Sequence, residues 1–194
     1  MVSINDMNQN KVRATYEKLL VVRAQDRDEQ AFRELVTLYE RRMLYYIHRL
    51  LGRNADLADV MQEIWIRVFT RITTLRAPEA FRVWLYKIAH DVAISQLRKS
   101  SRHKAISIED TQVVEEVDAD DWDESQLLEN AEFVHKTLQE LSLPHREVLT
   151  LRFLEELGLV EIAEVVGCSL GTVKSRLHYA KSAMRKLMEA DDHE

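Results

Sequence analysis

The sequence of 194 residues has few of the residues that interrupt helices or cross-link chains: two prolines, four glycines and one cysteine. Because hairpins and tight turns draw on proline and glycine, their scarcity favours an all-α fold over a β-rich one. A single cysteine cannot form an internal disulfide, which excludes the disulfide-stapled secreted class. No apolar run approaches the roughly 18 residues that a membrane span needs, and the N-terminus lacks the basic and apolar regions of a signal peptide. We therefore expect a cytoplasmic protein.

The charges are segregated along the chain, although the formal net charge is only −6. Residues 1–104 carry 19 Lys or Arg and 12 Asp or Glu, whereas residues 105–135 carry 11 acidic residues and no basic one. Residues 136–194 carry 8 basic and 10 acidic residues. This distribution, more than the total, indicates a basic N-terminal part with an acidic connector after it.

The hydrophobic pattern predicts two small helical domains joined by an acidic flexible linker. The predicted boundaries are 1–100 for the first domain, 101–127 for the linker and 128–194 for the second domain. The predicted helices span residues 11–24, 28–51, 55–73, 80–99, 128–142, 145–156, 160–166 and 170–188.

The segment Glu161–Leu177 predicts a helix-turn-helix. Gly167 can supply the left-handed backbone of the turn, and Ser169 can cap the helix that follows. From Gly167 to Met188 there are five Lys or Arg and no acidic residue. A basic second helix is typical of a major-groove reader, although a helical hairpin with a solvated basic face would give the same pattern. The apolar stripe of the last helix, which we expect to be buried, consists of Val173, Leu177, Ala180 and Met184.

The helix over 56–72 has one broad apolar face and one polar face. The predicted core residues are Leu57, Val60, Met61, Ile64, Trp65, Val68, Phe69 and Ile72. The polar face contains Asp59, Gln62, Glu63 and Thr70, with Ile66 at its centre. One exposed isoleucine is ordinary, but among carboxylates it also fits a docking surface for a partner helix. Both interpretations stay open on the pattern alone.

The helix over 81–98 is also ambiguous on its second side. Its first face, predicted to be core, consists of Phe81, Trp84, Leu85, Ile88 and Val92. The far side mixes aromatic, apolar and cationic residues, namely Val83, Tyr86, Lys87, His90, Ile94 and Arg98. Such a mixture suits single-stranded nucleic acid, because bases stack on rings while cations meet phosphates. A central helix packed on both sides would have the same composition.

Nothing in the sequence predicts catalysis or a bound cofactor. No His or Cys pair has metal-ligand spacing with a second pair nearby, and a structural role is the expected one for Cys168. A nucleophile–base arrangement and a glycine-rich phosphate loop are both missing. We expect no enzyme activity, metal, cofactor or small-molecule substrate.

Taken together, these segments resemble an extracytoplasmic-function (ECF, group IV) bacterial RNA polymerase sigma factor. The resemblance covers the chain from about residue 30 to residue 187 except the acidic connector. The motifs that carry it are Ala31–Leu35, Asp59–Phe69, Trp84–Ala89, Glu161–Ala163 and Gly171–Arg176.

The resemblance implies three binding surfaces. The first is a contact with the β′ clamp helices of core RNA polymerase, made by Asp59, Gln62, Glu63 and Ile66. The second is a surface for the −10 promoter element, made by Arg76, Arg82, Tyr86, Lys87, His90, Ile94 and Arg98. The third is a surface for the −35 element, made by Ser169, Thr172, Lys174, Ser175, Arg176, His178, Tyr179, Lys181 and Arg185. The family also implies contact with the β flap of the polymerase and control by an anti-sigma factor, which is often membrane-anchored.

The chain departs from the family pattern in its −10 region. His90-Asp91 stands where many members have Arg-Asn, and Ser95 stands where Asp is common. The acidic connector has two compatible interpretations: a tether that keeps two domains apart, or a segment that threads the RNA path of the polymerase.

Two other classes of function would each explain part of the sequence. A helix-turn-helix regulator that acts without polymerase would leave the face around Ile66 without a role. A helical protein–protein module, such as an anti-sigma antagonist, would not need the acid-free basic helix.

Overall fold

The structure, a computed structural model, describes residues 4–52, 55–106 and 137–191, and every regular element in these ranges is a helix. This confirms the predicted all-α fold. The helices are α1 (Ile4–Gln25), α2 (Glu29–Leu51), α3 (Leu57–Arg71), α4 (Phe81–Ile106), α5 (Leu143–Leu149), α6 (Leu159–Val166) and α7 (Leu170–Asp191). Within the described residues, no helix combines the length and the apolar character that a membrane crossing requires.

Helices α1–α4 form the N-terminal bundle, and capping residues define both ends of α2 and the start of α3. The Asp28 carboxylate accepts hydrogen bonds from the backbone N–H groups of Gln30 and Ala31 and so begins α2. Gly52, with φ +75°, ends α2, and Asp56 caps α3. Two 3-10 turns, Ile72–Thr74 and Pro78–Ala80, connect α3 to α4.

The core of the N-terminal bundle lies between α2, α3 and α4, with α1 packed along α2. Large side chains from each of these helices are fully buried, among them Leu20, Leu35, Ile64 and Phe81. The burial of such side chains is worth about 1.5–3 kcal/mol each, so packing supplies most of the stability of these helices.

Helices α5–α7 form the C-terminal bundle, which contains the predicted helix-turn-helix. Gly167 adopts the left-handed conformation (φ +63°) at the end of α6, and Ser169 Oγ accepts the backbone N–H of Thr172 at 3.1 Å. Val173 and Ala180 are fully buried. Leu177 is 7% exposed, and Met184, the last residue of the predicted stripe, is only partly buried. These observations confirm the predicted turn and cap, and the buried stripe as far as Ala180.

Several predicted boundaries are wrong. Helix α1 begins at Ile4 instead of residue 11, and α4 runs to Ile106 instead of 99, because no glycine or proline interrupts either stretch. The predicted helix over 145–156 is two elements, α5 and a π-helical turn over Thr150–Leu154. The rest of the predicted linker, residues 107–127, and most of the predicted helix over 128–142 lie outside the described residues.

The two bundles are in contact. Helix α4 of the N-terminal bundle packs against α6, and α2 packs against α5. This contact places the second side of α4 against the C-terminal bundle, which bears directly on the residues predicted to read DNA.

Candidate protein-binding and nucleic-acid-binding surfaces

The polar face of α3 is exposed as predicted, and Ile66 lies at its centre with 56% of its surface accessible. Asp59 and Gln62 are exposed beside it. Glu63 is partly buried and forms an ion pair with Arg67 one turn along the helix. An exposed isoleucine framed by polar groups can bury apolar area against a partner helix while the rim fixes orientation.

Phe69 was predicted to be a core residue, but it is 42% exposed. Its ring packs edge-on against Phe32 with 5.1 Å between centroids, and the Arg27 guanidinium lies 5.6 Å from its centroid. The ring is therefore only partly covered, and its exposed part extends the apolar surface that Ile66 begins. The helical period could not identify this, because it places Phe69 at the edge of the core stripe.

The loop between α3 and α4 is held by a residue that sequence reasoning missed. Gln25, at the end of α1, donates hydrogen bonds from Nε2 to the carbonyl oxygens of Ile72 at 3.0 Å and Leu75 at 2.6 Å. The next residue, Arg76, is exposed. Because Gln25 is about 50 positions away in sequence, no local motif could reveal this contact.

The residues predicted to read the −10 element are not all on one accessible surface. Arg76, Lys87 and Arg98 are exposed, and Arg82 and Ile94 are partly buried. Tyr86 is fully buried, and the His90 side chain is only 15% exposed. Of the two interpretations of the far side of α4, the structure therefore has the helix packed on both sides at Tyr86 and His90.

The group that covers this side of α4 is a buried carboxylate from the C-terminal bundle. Glu147 Oε1 accepts a hydrogen bond from the Tyr46 hydroxyl at 2.7 Å and lies 2.6 Å from His90 Nδ1. Burial raises the pKa of Tyr46 well above its ordinary value, and the Glu147 carboxylate raises it further. The tyrosine therefore stays protonated and acts as a donor.

Helix α7 presents the exposed basic surface expected of the second helix of a helix-turn-helix. Its exposed members are Lys174, Ser175, His178, Tyr179, Lys181 and Arg185. Arg176 is partly buried, with Nη1 3.9 Å from Cys168 Sγ, and Lys181 Nζ lies 5.1 Å from the centroid of the Phe153 ring. The hydroxyls of Ser169 and Thr172 lie 2.8 Å apart, so both are engaged at the cap.

Comparison with protein families identifies both bundles. Residues 35–103 match the family model "Sigma-70 region 2", and residues 137–186 match "Sigma-70, region 4". The RNA polymerase sigma-H factor of Pseudomonas aeruginosa is 33% identical over 178 residues, which are 88% of this chain and 92% of that protein. The ECF RNA polymerase sigma-E factor of Haemophilus influenzae is 32% identical over 181 residues, which are 89% and 95% of the two chains.

Two solved structures share the fold. CnrH in complex with the cytosolic domain of CnrY has a TM-score of 0.65 at 22% identity, covering 91% of this chain and 99% of that chain. The sigma factor RpoE in complex with the anti-sigma factor NepR from Bartonella quintana has a TM-score of 0.64 at 20% identity, covering 82% of this chain and 98% of that chain. The similarity to these sigma factors covers nearly the whole chain, including the N-terminal bundle. A helix-turn-helix regulator that acts without polymerase would not account for similarity over that bundle. The chain therefore belongs to the family of RNA polymerase sigma factors, which direct promoter-specific initiation of transcription.

Proposed function

We propose that the chain is a sigma factor of the ECF type, with a −10 domain over residues 1–100, a connector over 101–127 and a −35 domain over 128–194. The relatives from Haemophilus influenzae and Bacillus subtilis are named as ECF sigma factors, which supports this subclass. Such a protein performs no covalent chemistry. Its work is to prefer opened promoter DNA in the complex with polymerase to closed duplex.

The polymerase contact is the exposed face of α3. Asp59, Gln62 and Glu63 provide a polar rim, and Ile66 provides the apolar centre that docks on the β′ clamp helices. The exposed part of Phe69 enlarges this centre. This face supports the proposal because Ile66, Asp59 and Gln62 stay exposed in the fold, although Glu63 pairs with Arg67 within the helix.

The DNA contacts are divided between the two bundles. On α7, Lys174, Ser175 and His178 are exposed and positioned for base edges or nearby phosphates, while Lys181 and Arg185 reach the backbone. In the N-terminal bundle, the loop held by Gln25 and the far side of α4 meet the −10 strand. Phosphate contacts set the affinity and its salt dependence, and base contacts set the sequence that is read.

An anti-sigma factor is the proposed regulator. Two structures of similar fold support this proposal, because CnrH is bound there to the cytosolic domain of CnrY and RpoE to the anti-sigma factor NepR.

The observation that carries the proposal is the exposure of Ile66 within a carboxylate-bearing face. Ile66→Lys should abolish co-purification with core polymerase and run-off transcription from a promoter library, because a buried lysine without a partner is costly. The matched control is Thr37→Lys, which adds the same charge at an exposed position of α2.

The two variants separate the outcomes. Loss with Ile66→Lys alone supports the assigned contact, and equal activity of both variants would refute it. If the wild-type chain failed to direct initiation by core polymerase at any template, the function itself would be wrong.

A further inference from the structure

One side chain from α1 binds two backbone carbonyl groups of the turn that follows α3. Ile72 is the C-terminal cap of α3, where a helix leaves carbonyl groups without intrahelical partners. Gln25 Nε2 donates to the Ile72 carbonyl at 3.0 Å and to the Leu75 carbonyl at 2.6 Å. Because one amide group holds both carbonyls, Gln25 fixes the two ends of this 3-10 turn relative to α1.

Gln25 is itself held in place at the end of α1. Arg23 Nη2 lies 2.7 Å from Asp28 Oδ2, and the Asp28 backbone N–H donates to the Arg23 carbonyl at 3.1 Å. The Asp28 side chain also caps α2. The connection between α1 and α2 is therefore closed by bonds on either side of Gln25, so the amide extends from a rigid support.

The residue that this contact orients most directly is Arg76. The Leu75 carbonyl that accepts from Gln25 lies in the same peptide plane as the Arg76 N–H. Holding this plane restricts the direction in which the Arg76 side chain leaves the loop. Arg76 is exposed, as are Thr73 and Thr74, whereas Ile72 is fully buried beneath them.

The other end of the loop is restrained by its own sequence. Pro78 begins the second 3-10 turn, and the residue before a proline is restricted to extended backbone, as Ala77 is with φ −121° and ψ 106°. The Ala80 N–H donates to the Ala77 carbonyl at 2.9 Å. The Leu75–Arg76 peptide is thus the junction between two restrained turns, and Gln25 holds this junction from outside the loop.

We infer that Gln25 is a positioning residue for recognition of the −10 strand: it holds the Leu75–Arg76 peptide so that the Arg76 guanidinium meets the edge of a base. The inference rests on the proposed function, which places this loop against the −10 strand. A guanidinium carries its donors in a planar fork, and a fork discriminates between bases only when its direction is set. Gln25 therefore contributes to the choice of base without touching the DNA.

The test uses the full chain with Gln25→Met, which keeps a long unbranched side chain and removes both donors. Gln30→Met is the matched control, because Gln30 is exposed on α2 and its side chain reaches Glu34 on the same helix at 3.4 Å. Arg76→Ala and the double variant Gln25→Met with Arg76→Ala complete a double-mutant cycle. The helical circular dichroism signal verifies that each variant is folded.

Run-off transcription with core polymerase, from a library randomised in both promoter elements, measures the base preferences. Gln25→Met and Arg76→Ala should each lower the preference at the same −10 position about tenfold, and the double variant should lose no more than either alone. The −35 preferences should stay unchanged, and Gln30→Met should match the wild type. A merely structural role of Gln25 would weaken all promoters by one factor and leave their ranking intact.

Hydrogen–deuterium exchange tests the positioning without DNA. Gln25→Met should speed exchange in peptides that cover residues 72–80, and Gln30→Met should not. Unchanged exchange in Gln25→Met would overturn the positioning role. Faster exchange with an unchanged −10 preference would overturn the role in base choice.

The remaining outcomes separate this inference from the proposed function. Additive losses in the double variant would mean that Gln25 does not act through Arg76, and an unchanged −10 preference in Arg76→Ala would overturn the inference even if Gln25→Met failed to fold. A wild-type chain that initiates transcription but has no preference at any −10 position would refute the −10 assignment in the proposed function, whatever the exchange experiment gives.

Discussion

Gly167 shows how much of the −35 surface depends on one backbone conformation. Its positive φ reverses the chain after α6 and brings Ser169 to the start of α7, where the hydroxyl caps the helix. No atom lies within 4 Å of the position that a Cβ would occupy at Gly167. The requirement for glycine is therefore one of backbone conformation and not of space.

Gly167→Ala should lower the free energy of unfolding by about 1–2 kcal/mol, the ordinary cost of a left-handed conformation for a residue with a Cβ. Gly171→Ala is the control, because Gly171 is helical and its added Cβ would make only an ordinary contact, 3.7 Å from Ser169 Oγ. It should be neutral or stabilise by about 0.5 kcal/mol. Urea denaturation of both variants measures the difference, and equal effects would contradict the argument.

Individual residues differ in how well the sequence predicts their role. Gly167 and Ser169 could be assigned because turns and caps need particular residue types at fixed spacing. Tyr86 and Glu147 could not, because their burial depends on an interface between segments about 60 residues apart. Local sequence pattern alone could therefore not decide whether the far side of α4 is buried or exposed.

Among the elements, α3 was the most predictable and the segment after α5 was the least. The 3.6-residue period identified the buried and exposed faces of α3 except at Phe69, which lies at the edge of the stripe. The segment over 145–156 has no sequence signal for a change from α to π geometry. Its π turn is visible only in the hydrogen bonds, such as that from Glu155 N–H to the Thr150 carbonyl, five residues earlier, at 3.1 Å.

The π turn places Glu155 where burial raises the pKa of its carboxyl above the ordinary value. The charged and titratable groups around it are Arg42 of α2, Arg82 and Tyr86 of α4, and Glu156. A carboxyl with a raised pKa in the docked state favours docking when protonated. Docking should therefore strengthen as the pH falls through that raised pKa and weaken as the pH rises through it.

Glu155→Gln should accordingly make the free chain more compact at neutral pH, because the amide resembles the protonated acid. Small-angle scattering at pH 7 and pH 5.5 tests it, with Glu156→Gln as an exposed control one residue away. An expanded Glu155→Gln chain would mean that attraction to Arg42 outweighs the cost of burial.

At the scale of the whole molecule, binding of polymerase and closure of the chain are linked. If core polymerase binds a conformation in which the two bundles are separated, the contact between them must be broken on binding. The free energy of breaking it then lowers the observed affinity for polymerase. Charge segregation was readable from the sequence, but this coupling was not, because domain docking leaves no periodic signature. The acidic connector that separates the two bundles in sequence lies largely outside the described residues.

Glu147→Ala should therefore bind core polymerase more tightly than the wild type, because it removes the carboxylate that Tyr46 and His90 contact between the bundles. Fluorescence titration of labelled chain with core enzyme measures this, and Glu164→Ala, at an exposed position of α6, serves as the control. Equal affinities would mean that polymerase accepts the closed form.

The contact of His90 with Glu147 also constrains which residues orthologues of this protein can have at positions 90 and 147. His90 Nδ1 lies 2.6 Å from Glu147 Oε1, and the longer guanidinium of an arginine at position 90 would not fit this spacing without moving the helices apart. Orthologues that keep this histidine should also keep a carboxylate at position 147, and those that lose one should lose the other. Covariation between the two sites would thus record, across species, which lineages have retained this contact between the two bundles.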